Sequence, residues 1–124
     1  MQSHKQALGR RGEQIAAEYL QRRGMQILER NFRIRGGEID LIAKEGETYV
    51  FVEVKARSGF AYGRGAEAVH AGKQQALLRT AQTYLYRNDL LEAPARFDVI
   101  ELDFSGETPR LRYLQNVLFE SQLI

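Results

Sequence analysis

Three short extended segments follow one another in the first half of this chain, and this succession limits its folding more than any other feature. They are residues 26–34 (QILERNFRI), 38–44 (EIDLIAK) and 48–56 (TYVFVEVKA). The last is dense in β-branched and aromatic residues, which suit a pleated, half-buried strand. The pair Gly36-Gly37 and the triplet Glu45-Gly46-Glu47 supply turns between them. Connections of two to five residues join antiparallel neighbours, because a parallel pair needs a crossover of about a dozen residues or more. The spacing therefore predicts a three-stranded antiparallel meander.

Helical periodicity flanks the meander. From residue 5 to about 23, Leu8, Gly12, Ile15, Ala16, Tyr19 and Leu20 form one stripe at the spacing of a helix face. Gly24 suits the position just past a helix end, and Arg22 and Arg23 suit the negative end of its dipole. Gly9 and Gly12 weaken the first turns. Residues 67–88 predict a second helix, with Val69, Ala76, Leu77, Ala81, Tyr84 and Leu85 on one face. Residues 96–103 (RFDVIELD) and 110–116 (RLRYLQN) predict two more strands, and 58–66 (SGFAYGRGA) a glycine-containing loop. No repeat or linker divides the chain. The expectation is one α/β domain over residues 1–124, with a mixed sheet flanked by helices.

Composition narrows the function classes. A chain of 124 residues with 44% hydrophobic and 27% charged residues has room for one real core and is not of the disordered class. The absence of cysteine excludes disulfides, thiolate metal sites and cysteine nucleophiles. No apolar run approaches the ~20 residues of a membrane span, and the N-terminus lacks a secretory apolar region. The expected location is cytoplasmic, without a membrane partner. Residues 1–35 hold eight Lys and Arg against three acids, whereas the rest holds ten against thirteen. This basic first third fits either a polyanion partner or a solvated helix face.

Charge inside apolar strands is the feature that needs a chemical reason. Asp40 stands within Glu38-Ile39-Asp40-Leu41-Ile42, and Glu53 and Lys55 within Phe51-Val52-Glu53-Val54-Lys55. Strand side chains alternate, so Glu53 and Lys55 share a face, as do Glu38 and Asp40, while Val50, Val52 and Val54 face a core. The hairpin between the strands makes Asp40 and Glu53 expected cross-strand neighbours. Two explanations compete. One is an internal salt bridge of Lys55 with Glu53 or Asp40. The other is a site in which two carboxylates supply oxygen ligands to Mg²⁺ or Mn²⁺ and Lys55 orients water or offsets phosphorane charge.

Asp40, a hairpin, then Glu53-Val54-Lys55, behind a helix that carries a glutamate, resembles the PD-(D/E)XK nuclease superfamily. The helix start Gly9-Arg10-Arg11-Gly12-Glu13, with Gly37-Glu38-Ile39-Asp40-Leu41-Ile42 and Phe51-Val52-Glu53-Val54-Lys55-Ala56-Arg57, is similar to the YraN-like family of small bacterial proteins, relatives of archaeal Holliday-junction resolvases. The likeness continues through Lys73 to Arg96-Phe97-Asp98-Val99 and spans about residues 8–104, with the last strand and tail, 105–124, beyond it. It implies a restriction-endonuclease-like αβββαβ core. It implies Asp40 and Glu53 as metal carboxylates, joined by the Val54 carbonyl, Lys55 as the motif lysine, and Glu13 as an extra acid supporting the metal. Ile39 stands where the superfamily pattern has proline.

The activity so implied is metal-dependent DNA endonucleolysis. The alternative is a nucleic-acid-binding accessory protein with the same fold and little turnover. Arg10, Arg11, Arg35, Arg57, Arg64 and Lys73 are the candidate phosphate contacts on a DNA partner that is branched in the resolvase case. Each also has a plain reading as a surface residue. A symmetric junction calls for two active sites, hence a possible homodimer, and the apolar tail Val117-Leu118-Phe119 with Leu123-Ile124 has either the core or a second subunit to pack on. His4 and His70 have no partner at metal-ligand spacing. Gln82 and Tyr86 match an exonuclease-like Q-x-x-x-Y spacing and also an ordinary helix face. Gly59, Gly63 and Gly65, in the loop with Phe60 and Tyr62, lack nucleotide-loop spacing.

Overall fold

The computed structural model describes residues 3–58 and 71–117. The chain runs α1 (His4–Arg22), β1 (Gln26–Ile34), β2 (Gly37–Glu45), β3 (Thr48–Arg57), α2 (Ala71–Arg87), β4 (Ala95–Asp103) and β5 (Arg110–Leu114). The strands form one sheet in the order β1-β2-β3-β4-β5. β1, β2 and β3 are the expected antiparallel meander, β4 lies parallel to β3, and β5 returns antiparallel to β4. α2 lies in the crossover between the parallel pair, as such a pair requires. This is the mixed α/β sheet expected from the sequence, and its element order is that of a restriction-endonuclease-like core.

Local chemistry sets the helix ends. Ser3 Oγ accepts the Gln6 backbone N–H at 3.1 Å and the Ser3 N–H donates to Gln6 Oε1 at 2.9 Å, a capping box that opens α1. At the other end Gly24 adopts φ +93°, and the N–H groups of Gly24 and Met25 return to the carbonyls of Gln21 and Leu20. This left-handed glycine stop is the one the sequence indicated. β5 ends two residues earlier than expected. Asn116 turns to φ +54° and its N–H bonds Asp98 Oδ1 at 2.8 Å instead of extending a ladder.

The alternation of β3 divides the interior into two cores. Val50 and Val52 are fully buried with Ala16, Ala17 and Leu20 of α1. Phe51, between them, points the other way and joins Leu77, Ala81 and Tyr84 of α2. The helices thus cover opposite faces. Tyr86 is 72% exposed and belongs to neither core. Val117 packs on the α2-side core. Phe60, Tyr62, Arg64, the three loop glycines, Val69, His70 and the tail after Val117 lie outside the described residues.

Glycines let both helices approach the same end of the sheet. A Cβ on Gly12 would stand 2.8 Å from the Ala56 Cβ, so α1 lies closer to β3 than any other residue allows. A Cβ on Gly37 would collide with Thr80 Oγ1 and stand 3.1 Å from the Ala76 carbonyl oxygen, so α2 lies equally close to β2. Gly12 therefore serves packing, beyond its cost to helix propensity.

Candidate active site

The β2–β3 ladder pairs Glu45 with Thr48 through to Leu41 with Val52 and stops there. The same register extended by one step sets Asp40 opposite Glu53, the expected neighbours. Beyond that step the strands part, and Asp40 Oδ2 accepts the Val54 N–H at 2.8 Å. A side chain thus replaces the ladder at the point where β3 leaves β2, and the Asp40 carboxyl is held in the gap between the strands.

The Asp40 and Glu53 carboxyl groups lie within hydrogen-bonding reach of each other. Burial, then the Glu53 hydrogen bond and charge, push Asp40 up to about 8, against the opposing pull of the Val54 N–H. The Glu53 side chain is only 10% exposed, and among the described residues its Oε2 has no hydrogen-bond partner. The Lys73 ammonium stands 3.6 Å from that oxygen. Lys55 shares the cluster, close enough for the charges of Glu53 and Lys73 to act on it. Burial holds its ammonium below the usual lysine range, Glu53 opposes that shift, and Lys73 and Arg57 add to it. A cleft of about 280 Å³ opens here, lined by Glu38, Asp40, Glu53, Lys73, Ala76 and Leu77.

Glu13 reaches the same carboxyl group from α1, because the Gly12–Ala56 contact brings that helix turn onto β3. It lies within hydrogen-bonding reach of Asp40, and burial raises it above the usual carboxylate range. Asn31 Nδ2 donates to Glu13 Oε1 at 3.0 Å and to Glu38 Oε1 at 3.3 Å. Arg33 pairs with Glu38 at 3.2 Å. A second, open cleft of about 620 Å³ lies on this side, lined by Gln6, Gly9, Arg10, Glu13, Asn31, Arg33 and Glu38. Glu38 borders both clefts.

The competing explanations for strand charge divide between strands. β4 carries three buried acids, and each meets an arginine. Asp98 pairs with Arg96 at 3.1 Å, Glu101 with Arg112 at 3.2 Å and Asp103 with Arg110 at 2.7 Å. Tyr113 also donates to Asp98, and Arg96 extends to Glu45 at 2.9 Å. Asp40 and Glu53 instead lie beside each other, with the Lys73 ammonium 3.6 Å from Glu53. The β4 acids are the salt-bridge case. The β2–β3 pair is a like-charge pair, and such a pair suits a divalent cation.

Among the described residues no group of three or more His, Asp or Glu side chains stands at metal-ligating spacing. The donor set is hence two carboxylates, with Glu13 beyond Asp40. That set fits a cation such as Mg²⁺, which keeps several waters and binds through one or two carboxylates plus substrate phosphate. The orphaned, buried Glu53 Oε2 is the structural sign of the same fit.

The candidate phosphate contacts do not form one patch. Arg10 borders the larger cleft and Arg57 lies near Lys55, while Lys73 turns to Glu53. Arg35 is exposed. Arg11 stacks on the Phe104 ring at 4.8 Å. Arg22 and Arg23 end α1, and Arg23 covers the Tyr19 and Tyr113 rings. The basic first third is thus a property of the sequence that the fold distributes. Three features escaped the sequence reading. Asn31, a poor strand former inside QILERNFRI, was a readable signal. So was the match of Glu101-Leu102-Asp103 to Arg110-Leu111-Arg112, whose charges pair directly across the ladder. The lysine pair at the site left no local signature.

The family model described as Uncharacterised protein family UPF0102 matches residues 12–102, which include every acid of the site. A UPF0102 protein of Geobacter metallireducens is 47% identical over 116 residues, covering 94% of this chain and 95% of that protein. One of Symbiobacterium thermophilum is 51% identical over 105 residues, covering 85% and 88%. One of Rhodococcus opacus is 43% identical over 115 residues, covering 92% and 98%. With matches of this extent to both the family model and whole relatives, the chain belongs to the UPF0102 family.

Proposed function

We propose that the protein is a Mg²⁺- or Mn²⁺-dependent phosphodiesterase acting on DNA, an endonuclease of the PD-(D/E)XK type resembling Holliday-junction resolvases. One observation carries this reading. Asp40 and Glu53 are half-buried side by side, and among the described residues the ion pair found there is with Lys73, whereas each buried acid of β4 meets an arginine. Burying like charges is costly, and a cation between them removes the cost. The divalent ion supplies charge neutralisation at phosphate and an acidified water.

The chain's own residues have separable tasks in this reaction. Asp40 and Glu53 hold the ion, and the Val54 N–H fixes Asp40 for that role. Glu13 supports the ion from α1. Lys55, kept close to Glu53, orients the attacking water and offsets charge that grows on the scissile phosphate. The water loses a proton as its oxygen bonds to phosphorus, one ester P–O bond breaks, and the departing oxygen takes up a proton from solvent. Arg10 and Arg57 flank the acids where backbone phosphates would pass.

The test pairs two measurements. Calorimetry with Mn²⁺ should show binding to the wild type and its loss in Asp40→Asn. Branched, duplex and single-stranded DNA incubated with Mg²⁺ or Mn²⁺ should be cut by the wild type only. Metal and DNA binding without cleavage of any substrate would leave an accessory binding protein. Failure to bind metal would overturn the reading.

A further inference from the structure

Asn31 lies in the middle of β1 at φ +51°, a left-handed conformation that strands do not otherwise use. Arg30 pairs with Leu41 and Phe32 with Ile39, while the position between them, Asn31 opposite Asp40, falls out of the ladder. A left-handed residue held inside a strand is strained unless it is glycine, and asparagine is among the residues that tolerate it best. Such strain inside a regular element commonly marks a functional demand.

Glycine would supply this backbone at no steric cost, so the backbone alone does not account for asparagine. The side chain does. Its amide nitrogen donates to Glu13 Oε1 at 3.0 Å and to Glu38 Oε1 at 3.3 Å. Both acceptors are carboxylates, so the group between them must be a donor with two hydrogens, and a neutral one leaves the site's negative charge intact for a cation. The contact joins three elements, because Glu13 is on α1, Asn31 on β1 and Glu38 on β2. Glu13 in turn lies close enough to Asp40 for the two carboxyl groups to act on each other.

We infer that Asn31 is a positioning residue, whose left-handed backbone aims its amide at Glu13 and holds that carboxylate against Asp40, ready for the metal. The inference rests on the metal-dependent reading of the site. Outer partners that orient metal ligands typically carry about 10- to 100-fold in metal affinity.

The experiment is Mn²⁺ calorimetry on the full chain without nucleic acid, with thermal melts in chelator, for wild type, Asn31→Gly, Glu13→Gln and the double variant. Asn31→Gly keeps the backbone and deletes only the amide, so it should melt close to wild type. It should bind Mn²⁺ about tenfold or more weakly. Glu13→Gln probes the same contact without touching the strained residue and should weaken binding similarly. The double variant should be no weaker than Glu13→Gln, because Asn31 acts through Glu13. Asn31→Gly binding Mn²⁺ within twofold of wild type, or losses that multiply in the double variant, would overturn the role of Asn31 alone. A wild type that binds no Mn²⁺ would overturn the metal-dependent reading as well.

Discussion

The Lys73 ammonium stands 3.6 Å from Glu53 Oε2, a buried carboxylate oxygen with no hydrogen-bond partner among the described residues. The distance is too long for a hydrogen bond and short enough for charge attraction. Lys73 is thus a cation beside the place where a divalent ion would sit. Lys73→Met should therefore tighten Mn²⁺ binding by about two- to fivefold, a modest gain because the lysine is partly solvated. The same change should lower the salt dependence of DNA binding by about one phosphate contact, provided metal is present. Calorimetry and salt titration check both, and weaker Mn²⁺ binding in the variant would refute the assignment.

Asp40 carries the pH dependence of the metal-free protein. Its folded value is raised to about 8, whereas an unfolded aspartate titrates near ~3.9. The folded chain keeps a proton that the unfolded chain releases, so this contribution is full below ~pH 3.9 and is lost as pH rises toward 8. In chelator, Asp40→Asn should melt like wild type near pH 3.5 and higher than wild type at pH 8. Mn²⁺ should raise the melting temperature of wild type at pH 8 and leave the variant unmoved. Identical pH profiles for the two proteins would contradict the like-charge account.

Lys55 separates turnover from binding. Lys55→Ala should lower cleavage by about 10²-fold or more, because its charge is needed when negative charge grows on phosphate. Mn²⁺ affinity should change little, since both carboxylates remain. If the variant instead melts early, and wild type cuts no nucleic acid with any divalent metal, the lysine is structural.

Gly37 offers a test of how the fold holds the site. A Cβ there collides with Thr80 Oγ1, which itself bonds the Ala76 carbonyl at 2.7 Å. Gly37→Ala should cost about 1 to 3 kcal/mol as α2 is pushed off β2. Adding Thr80→Ala removes the colliding oxygen and should recover more than half of that loss. Denaturant unfolding of both variants measures the coupling, and additive losses would show that the contact is not the cause.

Helix, meander, helix and the last two strands were legible because each rests on local information. The apolar stripe of α1, the β-branched run of β3 and the φ-specific glycine at position 24 act over a few residues. The pairing of Asp40 with Glu53 was also legible, since hairpin register follows from turn length. The ladder break that lets Asp40 take the Val54 N–H was not, because it depends on β3 turning from β2 toward β4.

The sequence by itself determined which residues could carry chemistry: two carboxylates and a lysine in neighbouring strands, and a glutamate on the first helix. Only the tertiary structure decided which acids are neutralised by arginine in the interior and which stand side by side at a cleft. Arg96 shares a strand face with Asp98, Arg110 and Arg112 meet Asp103 and Glu101 only once β5 returns beside β4, and Lys73 comes to Glu53 from a helix twenty residues later. Charge is written locally along a chain, but its desolvation and its partners are properties of the assembled interior, where a few ångströms separate a salt bridge from a metal site.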